Sequence, residues 1–168
     1  MTRKKPIEPG QAGETASPVS LATLYSGYSH LLHAIDASNR IMLPSEWRGE
    51  GTPTRFFVII GDTKDHLVVC PEKVFAEFLA SLRAETADRK LIVQMERVLN
   101  ECSKQVSLDR FGRLPLPSDF LARTRIEKKG KLFGRFSKFE IWPHDKSPDT
   151  QAEQDQAAAM LAEKLQYL

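Results

Sequence analysis

The chain has 168 residues and a formal net charge of +2, with average apolar and charged content. That is one domain's worth of soluble globular protein, long enough to bury a core without disulfides or metals. The two cysteines, Cys70 and Cys102, show no framework or metal-ligand spacing and read as small core hydrophobes in a reducing compartment. No apolar run reaches the length of a membrane span and no signal-peptide core follows the start "MTRKK", so a cytoplasmic location is expected.

Residues 1–20 are rich in Pro, Gly, Ser and charge and lack apolar periodicity. They read as part of a disordered arm extending to residue 24. Beyond it the chain repeats itself. "AIDASNRIMLPSEW" from Ala34 to Trp47 aligns at one fixed offset with "SLDRFGRLPLPSDF" from Ser107 to Phe120. Asp36 meets Asp109, Arg40 meets Arg113, Leu43 meets Leu116, and Pro44 and Ser45 fall on Pro117 and Ser118. The remaining pairs mostly swap within kind, as in Trp47 for Phe120. Such repetition determines how the whole fold is read.

Each copy is two short apolar runs joined by an Asp-containing loop, the pattern of a β-hairpin. Asp opens turns by accepting hydrogen bonds from backbone N–H groups two residues ahead. Gly112 can adopt the left-handed backbone that bulged hairpin loops require, and Asn39, its counterpart, is the non-glycine residue that tolerates it best. The arginine follows at once, placing a guanidinium at the base of the loop near the Asp carboxylate. After each second run, "LPSEW" and "LPSDF" predict a short helix, with Pro in its first turn and an acid near its positive end. Trp47 and Phe120 then cap the core. "RFFVII" and "HLVVCP" supply two more strands in the first half, "KLFGRF" and "KFEIWP" in the second.

Between the halves, Val74, Phe75, Phe78, Leu79 and Leu82 recur with helical period, as do Leu91, Ile92, Met95, Val98, Leu99 and Cys102, with "ETAD" as the break. The last segment forms a third helix with Ala158, Leu161, Leu165 and Leu168 in a narrow stripe, suited to docking on the body or on a neighbour. The organisation predicted is an arm over 1–24, a first repeat over 25–71, connecting helices over 72–104, a second repeat over 105–143 and a C-terminal helix over 144–168.

Enzyme constellations are missing. The four histidines show no HExxH or Cys/His spacing, and no nucleophile elbow or phosphate-binding glycine loop occurs. No enzymatic activity, metal or cofactor is expected. His33 has Val106 as its counterpart and Cys70 has Trp142, which marks strand and core positions. Charge is uneven: from Lys104 to Lys138 ten Lys and Arg face only Asp109, Asp119 and Glu127, before an acidic tail. That segment fits a polyanion footprint or a solvated face balanced by the tail. The doubled Asp-x-x-x-Arg has two compatible readings. It can be a salt bridge across a turn, or a hairpin presenting Arg to a DNA groove, where Arg reads guanine bidentately.

These residues resemble the MraZ family, from about Tyr25 to Trp142, most specifically in "DRFGRLPLP" and "LFGRFSKFEIW". Ser38 stands where that family commonly has Lys, and Asn39 where it has Gly. The resemblance implies an α+β, mainly β fold: an AbrB-like swapped-hairpin double-split β-barrel built from two internal repeats, with intervening and C-terminal helices. It implies a ring of eight or more copies that binds double-stranded DNA at short G-rich direct repeats, with nucleoid association. It further implies usual repression of a division and cell-wall gene cluster. Carried over by motif, Arg40 and Arg113 contact DNA with Ser38, Asn39 and Arg110 as loop neighbours, and Asp36 and Asp109 orient the arginines. The first loop is expected to do more of the reading. Other readings are a ring-forming assembly protein that has lost specific DNA binding, and an AbrB-type antitoxin with a protein partner.

Overall fold

A computed structural model of the chain describes residues 25–26 and 32–168. The proposed N-terminal arm therefore lies outside the described residues. Among the described residues eight strands and four helices follow in order. The first half holds β1 (Leu32–Ala34), β2 (Arg40–Met42), a 3-10 turn (Ser45–Trp47), β3 (Arg55–Ile60) and β4 (Leu67–Pro71). Helices α1 (Glu72–Glu85) and α2 (Arg89–Cys102) come next. The second half holds β5 (Ser103–Ser107), β6 (Arg113–Pro115), α3 (Ser118–Thr124), β7 (Lys129–Arg135) and β8 (Lys138–Pro143), and α4 (Gln151–Leu165) closes the chain.

The strands form a six-stranded sheet in the order β1-β7-β8-β4-β3-β5 and a two-stranded sheet of β2 with β6, all antiparallel. The fold is α+β and mainly antiparallel β. The two repeats are interleaved: β1 pairs with β7 and β5 with β3, while β2 pairs with β6. The simple hairpin expected at each loop is therefore corrected. Its arms meet only at the tip, through Ile35 and Ile41 in the first copy, and then diverge to opposite partners.

Alternation explains the core. Along β3 the buried residues are Phe56, Val58 and Ile60, with Phe57 and Ile59 on the other face, the period-two pattern of a strand with one face inward. Leu67 and Val69 of β4 and Leu132, Phe139 and Ile141 of β7 and β8 join them, with Ile41, Leu43, Leu114 and Leu116 from the two signature strands. Each such large side chain contributes roughly 1.5–3 kcal/mol by leaving water. Trp47 and Phe120 are both buried, as the repeat predicts. Their prolines, Pro44 and Pro117, sit at the N-cap and not inside the first turn.

Helix α1 lies on the outer face of the sheet, where Phe75 stacks on Phe57 at 3.8 Å and 9°. Of its expected stripe only Phe75 is buried. Helix α2 is started by Asp88, whose carboxylate accepts from the Lys90 and Leu91 N–H groups, and it buries no residue. Arg83 of α1 donates to Glu96 of α2 at 2.6 Å. Among the described residues no helix is long and apolar enough to cross a membrane.

Candidate nucleic-acid interface

The pairing of β2 with β6 sets the two Asp-x-x-x-Arg loops side by side. Each loop is built in the same way. The Asp36 Oδ1 accepts from the Ser38 N–H at 2.9 Å and the Arg40 N–H at 3.0 Å, and its Oδ2 accepts from the Arg40 Nε at 2.9 Å. The Asp109 Oδ1 accepts from the Phe111 and Arg113 N–H groups, both at 2.9 Å, and its Oδ2 from the Arg113 Nε at 2.7 Å. One carboxylate oxygen thus shapes the turn while the other holds the guanidinium. Asn39 and Gly112, with φ of 59° and 83°, both occupy the left-handed region, as their residue types predict.

The loops also reach across to each other. The Leu43 N–H donates to the Gly112 carbonyl at 3.0 Å and the Leu116 N–H to the Asn39 carbonyl at 2.8 Å. The arginines exchange carboxylates: the Arg40 Nη1 lies 3.7 Å from the Asp109 Oδ2 and the Arg113 Nη1 lies 3.9 Å from the Asp36 Oδ2. The result is a cyclic cluster of four charges in which each arginine is about 30% exposed, 32% for Arg40 and 28% for Arg113. The close pairs use Nε and the long ones Nη1, so Nη2 of each arginine belongs to none of these pairs. The cluster lowers both carboxyl pKa values below the usual range. For Asp36 the Arg40 N–H is the chief cause, with further help from the Ser38 N–H and the Arg40 side chain. For Asp109 desolvation acts in the opposite sense, and the Arg113 N–H and side chain with the Phe111 N–H overcome it.

All seven residues singled out in the sequence lie on these two loops: Asp36, Ser38, Asn39, Arg40, Asp109, Arg110 and Arg113. Sequence reading passed over Phe111. Its ring is half exposed and has two guanidinium groups close to it, Arg110 at 4.7 Å and Arg113 at 5.0 Å from the ring centre. The signal was its place at the tip of "DRFGR", where a turn seldom needs a large apolar side chain. Arg48 was also missed. It donates from Nε to the Leu43 carbonyl at 2.9 Å and lies where a Cβ on Gly112 would fall. Lys128 and Lys129 flank the first loop, since the Ile35 N–H donates to the Lys128 carbonyl and Ala34 pairs with Lys129.

Elsewhere the chemistry is that of a scaffold. Cys70 is buried and its thiol is pushed up to about 11, chiefly by that burial, which removes the thiolate needed for nucleophilic attack at neutral pH. His66 stacks on Trp142 at 4.2 Å, and buried Glu140 accepts from Arg135 and from the Trp142 indole N–H. Among the described residues no group of His, Cys, Asp and Glu is placed to hold a metal ion.

An internally duplicated, mainly antiparallel protein that presents two interlocked Asp-x-x-x-Arg loops on one surface is the class that fold and site define. Comparison with known proteins narrows it. A family model described as "MraZ protein, putative antitoxin-like" matches residues 102–166. Among relatives named "Transcriptional regulator MraZ", that of Saccharophagus degradans is 31% identical over 119 residues, 67% of this chain and 80% of that protein. That of Alcanivorax borkumensis is 26% identical over 137 residues, covering 80% and 92%, and that of Thermobifida fusca 28% over 131 residues, covering 78% and 90%. The chain belongs to the MraZ family.

Proposed function

We propose that this protein is a sequence-specific DNA-binding transcription regulator, a repressor of the division and cell-wall gene cluster, and not an enzyme. The carrying observation is the side-by-side placement of the two loops with both arginines partly exposed. A ring of eight or more copies presents these loop pairs to short G-rich direct repeats, so that weak single contacts act at high effective concentration. The interleaved strands and the β2–β6 pair favour an AbrB-like swapped-hairpin barrel as the unit of that ring. Arg40 and Arg113 supply base contacts and Asp36 and Asp109 hold them in place. Ser38, Asn39 and Arg110 line the approach, and Lys128 and Lys129 meet phosphates.

The second loop is the stronger reader in this proposal, which reverses the expectation from sequence. Arg110 and Phe111 give it a second cation and an aromatic surface where the first loop has Ala37 and Ser38. Fluorescence anisotropy with DNA from upstream of the gene tests the function. Specific binding should exceed binding to scrambled DNA by about 10³-fold or more and weaken steeply with salt. Equal affinity for both DNAs would favour the assembly protein without specific DNA binding, for which the small, neutral first loop is the supporting feature.

A further inference from the structure

One side chain of the second loop is not used by the frame that carries it. Phe111 and Ser38 hold the same place in the two loops, and at each the Asp Oδ1 accepts the backbone N–H at 2.9 Å. A small hydroxyl therefore suffices there, and the frame is the same with or without a ring. Yet Phe111 keeps a large apolar side chain 52% exposed at the loop tip. That ring is held in position. The Arg110 and Arg113 guanidinium carbons lie over it at 4.7 and 5.0 Å from its centre, and the quadrupole of an aromatic ring attracts such cations. Arg113 is in turn fixed through its Nε to the Asp109 Oδ2 at 2.7 Å. The loop thus sets a positioned apolar surface beside a positioned arginine.

We propose that Phe111 is a specificity-determining residue that packs on the C5-methyl group of a thymine at or next to the guanine pair read by Arg113. This rests on the DNA-binding reading above and narrows it to a base step. An arginine that pairs bidentately with guanine O6 and N7 works in the major groove. A ring whose centre lies 5.0 Å from that guanidinium enters the groove with it. Stacked bases are about 3.4 Å apart, so the ring falls on the same base pair or its neighbour. The thymine methyl is the one apolar substituent that base edges present there, and the rest are donors and acceptors. Covering those with a phenyl ring leaves polar groups without partners, which is costly. Insertion of the ring as a wedge into a minor-groove base step is disfavoured, because it would strip away the two guanidinium contacts. Ser38 in the first loop can meet either kind of base edge. The two loops therefore differ in kind: the first is tolerant and the second asks for a methyl group.

The full-length protein, Phe111→Ser and Arg113→Ala are each used to select binding sites from a library of random DNA duplexes. Phe111→Ser installs the residue that the first loop already carries in the same frame, so it leaves the fold intact. The wild type should select a consensus with a guanine that Arg113→Ala no longer requires. Beside it should stand a thymine that Phe111→Ser no longer requires while keeping the guanine. Duplexes with deoxyuridine in place of that thymine then remove the methyl group alone. Wild-type affinity should fall about 4-fold per substituted site, the loss expected for one buried methyl, and Phe111→Ser should bind both duplexes equally. A wild type indifferent to deoxyuridine at every consensus thymine overturns the methyl contact and leaves DNA binding standing. So does a Phe111→Ser variant that still loses affinity on the same exchange, or one weakened to the same degree on both duplexes relative to a wild type that does not distinguish them. A wild type that selects no consensus overturns the sequence-specific DNA-binding reading itself, and the thymine contact with it.

Discussion

The two signature loops share one backbone and differ in what they present. Both are closed by an Asp that accepts two backbone N–H groups and grips an arginine Nε. Between those fixed points the first loop carries Ala37, Ser38 and Asn39, and the second Arg110, Phe111 and Gly112. The frame is thus set by the Asp, the Arg and one left-handed residue, which frees the other two tip positions for recognition. Duplication within one chain allows this division: one loop can keep the frame while its twin gains reach and charge.

The largest effect should come from the arginines. Arg113→Ala should weaken specific DNA binding about 10- to 100-fold, since a bidentate base contact is worth roughly 1–3 kcal/mol, and Arg40→Ala should weaken it less. Anisotropy titrations at fixed salt decide the order, with circular dichroism confirming that both variants fold. Equal losses would make the loops equivalent readers, and unfolded variants would make the arginines structural.

Next come the left-handed residues. Gly112→Ala places a side chain at φ 83° and against Arg48. Left-handed backbone costs a residue with a Cβ roughly 1–2 kcal/mol, so Tm should fall by roughly 2–8 °C for a chain of this size. Asn39→Gly should be neutral or slightly stabilising, because glycine takes that conformation without steric cost, whereas Asn39→Val should distort the first loop. Thermal melts on the three variants test the contrast.

Charge at the loop tips has a smaller effect. Arg110→Ala should lower the salt slope of DNA binding by about one and cost a few-fold in affinity. Ala37→Arg should do the reverse in the first loop if the frames are interchangeable. Binding measured at three salt concentrations is sufficient, and an unaltered slope in both variants would remove Arg110 from the interface.

Acid should act most weakly. Asp36 and Asp109 have folded-state pKa values below the ordinary 3.8. Groups lowered in this way stabilise the fold above their unfolded value and lose that contribution as pH falls through the folded one. Melting temperature should therefore not respond to these two groups from pH 7 to about pH 5 and should drop below about pH 4. The Asp109→Asn variant should show less of that acid-dependent drop.

Much of the site was legible because it is local. Asp, the left-handed Asn39 or Gly112, and the returning Arg all act within five residues, so their spacing alone predicts the turn. Helices α1 and α2 and the break between them followed from periodicity for the same reason. Phe111 escaped notice because its importance depends on being exposed, and a single aromatic in an apolar-flanked loop looks the same whether it points inward or out. Arg48 escaped because its partners, the Leu43 carbonyl and the space beside Gly112, come from separate segments.

What the sequence determined by itself was the duplication, the frame of each loop and the burial of Trp47 and Phe120. The tertiary structure decided which copies of those elements pair. Two similarly patterned repeats offer each strand both a local partner and an equivalent one in the other repeat, and the apolar pattern alone does not choose between them. Only the assembled sheet shows the exchange that joins β2 to β6 and brings Asp36 within reach of Arg113.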